Sequence, residues 1–595
     1  VQLRFDRAHQ QFVGDHSVHH PVVLEVSVPK FSLSLDIGKS RTQASLFAQR
    51  DGAWAVESVA SVPTVIEGDS SRFRENIQDL LSQVEREGNV RLLNDRGQLT
   101  DLRRLEGAPD FVGLSLSAGK PVRTALIGLS EDYSIAPLRR LVSLFNCEVV
   151  LEVNLQENLN ATAQLERLVT SDVELYVIGG GANGGASKTL KAAIENLRLV
   201  YHLIPKTIRP QIVYCGNQRL ADYAQSEIEA GLDMHLASNI QTTLGSEDPS
   251  LVWKAMLAAF ERLRIQQIPG LAEVVGALHA SVIPSDFSAA RLVRFLERSS
   301  DNGKGVLMLR VEPDSVSVIA AWDQKINGVC HRFALNENAL EAARGFSTHV
   351  TDPNSFATYA HNRSLFPFFT PATLEDLSIE HALTRLRVRE ALNALQSLDG
   401  DFGYNPSLGL THAFEPIVLS GSEACLALPH QVLMTALDGI LPHGITTVLQ
   451  DERELLTAMG SLAPKDPLLP VQVMDAEAFT NLATVVTVDA PAAEGQKVLQ
   501  IEVNEGEQAP RLFHKVQMGE LKRIETLRSG KTELYLAPED ESDVGMGLRG
   551  LGGWIGVMAS KVGVVIDARG RPLSLPADEA ARAETLRNWL WELGG

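Results

Sequence analysis

Apolar and polar residues alternate one by one over three consecutive runs that begin near Phe31. The runs are FSLSLDIG, TQASLFAQ and AWAVESVASV, and short turns separate them. A period of two is typical of strands with one buried face, so the pattern predicts an antiparallel meander of three strands. Residues 72–89 then place apolar side chains at helical spacing and predict an amphipathic helix.

Short apolar runs alternate with helical segments further along the chain. VELYVIGGG and QIVYCGN each lead a buried strand into glycine, and SKTLKAAIENLRLV between them is helical. This alternation predicts a mostly parallel sheet covered by helices. We expect the glycine run, which holds Gly180 and Gly181, at the carboxyl edge of this sheet near a ligand cleft. Gly179, Gly181 and Gly184 fit GxGxxG, but no acidic residue follows the next strand, which disfavours a Rossmann dinucleotide site.

A second strand pair, GVLMLRVEPDSVSVIAAW, again leads into helices and a further strand, PIVLSG. After about Pro464 the chain consists of short strands separated by Gly, Pro and acidic turns, and it ends in a helix over 577–593. The last part is therefore predicted to be an all-β module, a sandwich or a barrel. The predicted parts are an N-terminal extension (1–30), a first α/β lobe with an inserted α/β segment (31–305), a second lobe (306–465) and the β-rich domain with its closing helix (466–595).

Composition and charge remove several classes of function. The 595 residues include 54 basic and 74 acidic side chains, a net charge of -20, which repels nucleic acid and anionic lipid where no basic patch intervenes. No apolar stretch reaches the ~20 residues of a membrane helix, and four dispersed cysteines suit a reducing cytoplasm. We therefore expect a cytoplasmic protein that neither binds nucleic acid nor inserts into a membrane. His16, His19 and His20 lack a partner cluster, and we expect them to be solvated.

The strongest candidate for chemistry is LDIGKSRTQASLF, residues 35–47. Asp36 lies at the end of a strand, Gly38 permits a tight turn, and Ser40 and Thr42 add hydroxyls before the chain returns. Backbone N–H groups and hydroxyls in such a turn can hold phosphate oxygens, and Asp36 could position a hydrated Mg²⁺. An ordinary β-hairpin uses the same residue types, so this pattern alone leaves both interpretations open.

Several segments resemble one family in their order and spacing. DIGKSRTQASLF resembles the first phosphate motif of the actin, sugar-kinase and heat-shock-70 ATPase superfamily. VELYVIGGGANGGASKTLKAAIENL with PQIVYCGNQRLAD, LSLSAGKPVRTALIGLS, and the ending GVVIDARGRPLSLPADEAARAETLRNWLWELG resemble the glutamate-mutase-associated MutL (GlmL) family, in its longer form with a β tail. That family is unrelated to mismatch-repair MutL, and the resemblance covers most of residues 31–595.

The resemblance implies an actin-like α/β fold (ASKHA) of two lobes around a nucleotide cleft, followed here by a smaller all-β domain and a C-terminal helix. It implies ATP or ADP with Mg²⁺ as the ligand and a chaperone or reactivating role toward a cobalamin-dependent mutase, with self-assembly as a further option. By motif position, the residues near nucleotide and metal would be Asp36 (also the metal ligand), Gly38, Ser40, Thr42, Gly180, Gly181, Gly421 and Ser422.

The second phosphate motif departs from the family pattern. Where the family has approximately VDVGSATT, residues 309–316 read LRVEPDSV, so Arg310 replaces the aspartate while Glu312 and Pro313 replace the glycine and its small neighbour. Pro313 removes an N–H donor, and a carboxylate about 4 Å from a phosphate charge costs on the order of 4 kcal/mol at an effective dielectric constant of about 20. We therefore expect nucleotide binding with impaired or lost hydrolysis. The alternative is a non-catalytic scaffold or assembly protein, and a small-molecule kinase would need a catalytic aspartate that no motif supplies.

Overall fold

The computed structural model describes residues 30–595 with short gaps. Residues 1–29, which hold most of the predicted N-terminal extension together with His16, His19 and His20, lie outside the described residues. The gaps are 67, 158–160, 186, 204–209, 228–233, 301, 367–368, 423–426, 477, 505–510 and 526–529, and the side chains of 161–165 and 201–203 are also left undescribed.

The first lobe begins with the predicted antiparallel meander and amphipathic helix. Its elements are β1 (Lys30–Ile37), β2 (Arg41–Arg50), β3 (Ala53–Pro63), α1 (Ser70–Gly88) and β4 (Phe111–Leu116). α1 starts at the N-cap Asp69, whose carboxylate accepts a hydrogen bond from the Ser71 N–H. Its apolar face, spaced as the sequence predicts, packs against β2 and β3. β4 then pairs parallel to β1.

An α/β segment with a parallel sheet is inserted after β4, as the alternation of strands and helices predicts. Its elements are β5 (Val122–Gly128), α2 (Ala136–Val142), β6 (Cys147–Asn154), α3 (Ala161–Thr170), β7 (Leu175–Ile178), α4 (Lys188–Leu203), β8 (Gln211–Tyr214), α5 (Ala221–Glu227) and β9 (Met234–Leu236). The strand order is β6-β5-β7-β8-β9. Every residue of β7 and β8 is buried, as expected of central strands covered on both faces.

Three helices return the chain to the first lobe and carry it across to the second. The elements are α6 (Trp253–Gln267), α7 (Leu271–Leu278), β10 (Val282–Pro284) and α8 (Ser285–Ser299). β10 pairs parallel to β4, which completes a first sheet in the order β3-β2-β1-β4-β10. α8 follows β10 directly, and Pro284 is both the last residue of the strand and the N-cap residue of the helix.

The second lobe repeats this arrangement. Its elements are β11 (Gly305–Val311), β12 (Ser315–Trp322), β13 (Lys325–Arg332), α9 (Glu337–Arg344), α10 (Pro353–Leu365), α11 (Leu374–Leu398), β14 (Tyr404–Asn405), β15 (Gly409–Leu410), β16 (Phe414–Ser420), α12 (Pro429–Ile440), β17 (Ile445–Gln450), α13 (Leu455–Leu462) and α14 (Leu468–Asp475). The order β13-β12-β11-β16-β17 matches β3-β2-β1-β4-β10, strand for strand and direction for direction.

Two helices join the lobes. α8, which leaves the first sheet, packs on β11 and β12 of the second, while α13, which leaves the second sheet, packs on β1, β4 and α8. Each helix therefore packs against the other lobe, and the two helices pack on each other. This duplicated α/β arrangement confirms the predicted actin-like two-lobe fold.

The β-rich C-terminal region contributes to two sheets. Its elements are β18 (Thr480–Thr487), β19 (Lys497–Asn504), β20 (Leu512–Gln517), β21 (Leu521–Ile524), β22 (Lys531–Pro538), β23 (Gly553–Met558), β24 (Gly563–Asp567) and α15 (Glu579–Glu592). β18, β24 and β21 extend the second-lobe sheet beyond β17, whereas the other four strands form a separate sheet in the order β20-β19-β22-β23. α15 packs Leu586, Trp589 and Leu593 on the second lobe, the face that the sequence predicts. Among the described residues, none of the helices combines the length and apolar character that a membrane crossing requires.

Candidate functional site

Asp36 and Arg310 occupy equivalent positions in the two lobes. Each is the penultimate residue of the first strand of its sheet. Asp36 pairs in register with Ser115 of β4, and Arg310 pairs with Ser420 of β16, the corresponding strand of the second lobe. The strand pairing therefore places an arginine at the position where the first lobe has its candidate metal ligand.

The two turns that follow these strands also correspond. The Gly38 N–H donates to the Arg41 carbonyl over 3.0 Å, and the Glu312 N–H donates to the Ser315 carbonyl over 2.9 Å. A Cβ atom on Gly38 would lie 2.5 Å from the Arg41 carbonyl oxygen, so the turn requires glycine there. Each turn closes its own hairpin with the N–H at its first position.

Hydroxyl groups surround Asp36 inside the first lobe. Ser115 and Ser285 each donate a hydrogen bond of 2.6 Å to the same carboxylate oxygen, Oδ1. The Thr42 side chain is buried, and its hydroxyl lies 2.9 Å from that of Thr64. Of these predicted site residues, Asp36 is held by hydroxyls from β4 and α8, and Thr42 is hydrogen-bonded to Thr64.

Lys39 connects the two turns across the space between the lobes. Its ammonium donates to the Ser315 hydroxyl over 2.6 Å and lies 3.4 Å from Oδ1 of Asp314. The Lys39 side chain is only 10% exposed. Partial burial alone would raise the pKa of Asp314, but Lys39 and the Ser315 hydroxyl outweigh it and lower that pKa. The two hairpins therefore face each other across one crevice and touch there.

A second link joins the same hairpin to the start of α13. Arg41 forms an ion pair and hydrogen bond with Glu454, and the Gln43 amide donates to the Arg453 carbonyl over 2.8 Å. Glu454 is the residue immediately before α13. The turn after β1 is thus held to the second lobe on two sides.

Arg310 lies buried among carboxylates. Its guanidinium is 3.3 Å from Oδ1 of Asp286, the second residue of α8, and both side chains are 6% exposed. Burial alone would lower the pKa of Arg310, but the negative charges of Asp286, Glu312 and Asp36 outweigh it and raise that pKa. Ser317 donates a further hydrogen bond of 3.0 Å to Asp286. Arg310 therefore stays charged and fixed by its neighbours.

A cavity of about 590 Å³ opens beside the two turns. The first lobe supplies Ser40 and Arg41 at its mouth, and the second lobe supplies the rest of the wall, from the ends of β11 and β16 and from α11 and α12. Its apolar and hydroxyl-bearing lining includes Leu309, Val311, Leu377, Thr384, Val388, Leu419, Val432, Thr435 and Ala436. This volume is in the range of small-molecule pockets, ~300–1,000 Å³.

Charged groups form one end of this cavity. Glu380 accepts hydrogen bonds from the Nε of Arg363, at 2.8 Å, and the Nη1 of Arg387, at 3.1 Å. Burial alone would raise the pKa of Glu380, and the two guanidinium groups lower it instead. Burial, with a contribution from Arg385, lowers the pKa of His381 to about 4, so this cavity residue is neutral at pH 7. At this end of the cavity, a ligand would contact a neutral imidazole and a carboxylate that is already paired with two arginines.

The predicted residues Gly421 and Ser422 follow β16 at the mouth of the cavity. Gly421 has a φ of +94°, and a Cβ atom on it would lie 2.5 Å from the Val311 carbonyl oxygen, so only glycine allows this approach of β16 to β11. Ser422 lines the cavity and donates a hydrogen bond of 2.8 Å to Oε2 of Glu312. Ser40 and Ser422, from different lobes, thus share one cavity.

Gly180 and Gly181 lie in the inserted segment and not among the residues that line this cavity. The Gly181 carbonyl accepts a 2.8 Å hydrogen bond from the Asn239 amide, and the Gly180 carbonyl accepts one of 3.1 Å from the Asn217 N–H. The glycine run is therefore tied to the loops that follow β8 and β9. The nucleotide role of these two glycines stays a prediction, as do those of the other candidate residues.

Most of the cavity wall was not singled out from the sequence. Leu377 and Thr384 on α11 and Thr435 on α12 carry no motif, because apolar and hydroxyl residues at helical spacing are ordinary in any packed helix. The capping box Thr373–Asp376, which fixes the start of α11 at the cavity, is visible in the sequence as a helix start and nothing more.

Comparison with known proteins addresses the family. The model of the family described as MutL protein matches residues 32–318, from β1 through the inserted segment into β12. Residues 32–318 of this chain are therefore similar to the MutL family. No curated protein sequence matches the chain.

Solved structures similar to this chain have low sequence identity to it. The ATP-dependent caprolactamase from Pseudomonas jessenii has a TM-score of 0.34 and 11% identity, with 82% of this chain and 81% of that chain covered. Gluconate kinase from Lactobacillus acidophilus has a TM-score of 0.30 and 11% identity over 76% and 93%. A diol dehydratase-reactivating factor in nucleotide-free form has a TM-score of 0.30 and 11% identity over 73% and 99%.

Proposed function

We propose that this chain is an accessory protein of the MutL family that binds an adenine nucleotide between its lobes and does not hydrolyse it. The observation that carries the proposal is the crevice itself, in which Lys39 bridges the two phosphate turns beside a cavity of nucleoside size. The base and ribose would occupy the cavity, and the phosphates would point toward Ser40 and Ser422 at its mouth.

Loss of hydrolysis follows from the second turn. Phosphoryl transfer depends on holding the phosphates from both sides, on neutralising their charge and on positioning a water molecule. In the second turn, Pro313 has no N–H to donate, and Glu312 brings a carboxylate to the position where Gly38 stands in the first. The first turn resembles a phosphate clamp, whereas its counterpart repels phosphate.

Retention of nucleotide binding is supported by the cavity. Its apolar lining suits a planar base, and hydroxyl groups of Thr384, Thr435 and Ser422 are available for ribose or base polar atoms. Arg41, which lines the cavity and pairs with Glu454, is a cation that could turn toward a phosphate. An ADP-like ligand therefore suits the site better than a triphosphate aimed at Glu312.

We further propose that the partner is a protein, specifically a cobalamin-dependent mutase that the chain reactivates or protects. This part of the proposal is supported by the family resemblance. Ligand binding between the lobes would shift the equilibrium between closed and open arrangements and so change affinity for the partner. The contacts of Lys39 and Arg41 across the crevice are the ones that such a movement would break.

Isothermal titration of the full chain with ADP, ATP and adenosine tests the binding step. We expect saturable 1:1 binding of ADP and ATP, and tighter partner binding or release when nucleotide is present. Absence of any nucleotide affinity at millimolar concentration would remove this function. It would favour the alternative, a non-catalytic scaffold or assembly protein, which Arg310, Glu312 and Pro313 also support; sedimentation velocity would then test self-assembly.

A further inference from the structure

We propose that Arg310 and Lys39 together take the place of a divalent metal ion, so that the crevice offsets part of the charge of its carboxylates with its own side chains and binds nucleotide without Mg²⁺. The nucleotide half of this inference rests on the proposed function above. The metal half does not, because it concerns only the carboxylates and cations of this chain.

The duplicated fold fixes the position of Arg310. The residue stands in the second lobe where Asp36 stands in the first, as the pairing with Ser420 and Ser115 shows. A symmetric pair of carboxylates at these two positions would face each other and could share a cation. Here one member of the pair is itself the cation.

Carboxylates and cations lie close together at the crevice. Four carboxylates surround the crevice, those of Asp36, Asp286, Glu312 and Asp314. Arg310 interacts with the first three, and Lys39 lies 3.4 Å from the fourth. The two side-chain cations carry two positive charges, the same as one divalent ion. Covalently attached groups thus offset as much of the carboxylate charge as one divalent ion would.

Arg310 and Asp36 are both held by neighbouring side chains. A buried guanidinium 3.3 Å from Asp286 cannot move out of the way without leaving that carboxylate uncompensated, and like charges repel strongly in a site shielded from water. Asp36 presents Oδ1 to two serine hydroxyls. Among the described residues, no three His, Cys, Asp or Glu side chains come together as metal ligands. The expected Mg²⁺ role of Asp36 therefore does not fit the residues around it.

Mn²⁺ titration of the nucleotide-free full chain, followed by electron paramagnetic resonance, tests the inference directly. We expect wild type to show only the weak binding of an acidic surface, unchanged in Asp36→Asn. A 1:1 Mn²⁺ site in wild type that disappears in Asp36→Asn would overturn the inference.

The Arg310→Gln variant should attract a divalent cation more strongly than wild type, because negative charge is left uncompensated, although the described residues hold no set of three ligands. Removing the guanidinium leaves Asp36, Asp286 and Glu312 uncompensated, and we expect Mn²⁺ affinity at least about tenfold higher than in wild type. The double variant Arg310→Gln with Asp36→Asn should lose that gain, and the matched control Arg310→Lys, which keeps the charge, should show none. A folded Arg310→Gln that binds Mn²⁺ no better than wild type contradicts the proposal.

The inference can be tested even if Arg310→Gln folds poorly. If Arg310→Gln is destabilised, Mn²⁺ should raise its melting temperature and leave that of Arg310→Lys unchanged; equal shifts in both would contradict the inference. Separately, ADP affinity of wild type should be the same in Mg²⁺ and in EDTA. Nucleotide affinity that requires Mg²⁺ overturns the inference while sparing the proposed function. Absence of nucleotide binding removes the proposed function and the nucleotide half of the inference, and leaves the metal half to the Mn²⁺ experiment.

Discussion

Lys39 of the first lobe donates a 2.6 Å hydrogen bond to Ser315 of the second, 276 positions further along the chain. The contact lies between the two turns that would hold phosphate, so it fixes the distance between the lobes at the crevice. Together with the hydrogen bonds of Arg41 and Gln43 to the residues before α13, this contact connects the two lobes across the crevice.

Removing the Lys39 ammonium should loosen this bridge. In Lys39→Met we expect a loss of about 1–2 kcal/mol in the free energy of unfolding, at the lower end for a charged hydrogen bond because Asp314 is partly exposed. Hydrogen exchange of the amides in 312–316 should accelerate. The control Lys325→Met removes a more exposed lysine paired with Asp401 and should leave this exchange unchanged; equal acceleration in both variants would argue against a bridge.

The C-terminal region is predicted to be inseparable from the second lobe. Arg569 donates to Asp438 on α12 over 2.8 Å and to Asp567 over 2.9 Å, and all three side chains are fully buried. Arg569→Met leaves two buried carboxylates short of a partner and should cost about 3–5 kcal/mol in chemical denaturation. The exposed pair of Arg511 with Glu502 gives a control, because Arg511→Met should cost at most about 1 kcal/mol. Similar losses in both variants would contradict this assignment.

The stability of the protein should depend on Asp451 in mildly acidic solution. Burial raises the pKa of Asp451 to about 6, although hydrogen bonds from the Leu455 and Leu456 N–H groups oppose the shift. The folded pKa lies above the unfolded value of 3.8, so the folded state binds the proton more tightly than the unfolded state does. The resulting contribution to stability is fully present below about pH 4 and is lost as the pH rises through about 6.

A comparison of wild type with Asp451→Asn isolates this effect. His381, whose pKa is lowered to about 4, acts in the opposite direction over the same pH range. The difference in unfolding free energy between the two proteins cancels that contribution. We expect wild type to gain relative to Asp451→Asn between pH 7 and pH 5; a flat difference would show that Asp451 titrates normally.

Filling the cavity should abolish nucleotide binding without unfolding the chain. Thr435 is half-buried and lines the cavity, so Thr435→Trp would occupy the volume proposed for the base. We expect a loss of at least about tenfold in ADP affinity by isothermal titration. Thr170 is exposed at the end of α3, and Thr170→Trp is the matched control. Unchanged affinity in Thr435→Trp would place the nucleotide elsewhere.

Local patterns predicted much of the fold. The period-two runs gave β1 to β3, the helical spacing gave α1, and the alternation of strands and helices gave the inserted sheet, because each signal depends on residues close in the chain. The departure at Arg310 was visible for the same reason, since it lies within one motif.

Long-range partners were beyond the reach of those patterns. Nothing local indicates that β18, β24 and β21 extend the second-lobe sheet, since pairing is decided by which edge is available after folding. The same holds for Asp286, which sits in an ordinary helix start yet meets Arg310 of the other lobe. Thr435 gave no signal because its role comes only from the packing of α12 beside the crevice.

The central claim is that the crevice holds nucleotide and leaves it intact. A single-turnover experiment tests it most directly: the full chain in molar excess is incubated with ATP labelled at the γ-phosphate, with Mg²⁺ present, and the bound nucleotide is recovered. The account predicts that bound ATP comes back unchanged. Release of labelled phosphate should be no higher than with Thr435→Trp or in solution without protein. Release of labelled phosphate that is lost in Asp36→Asn would contradict it.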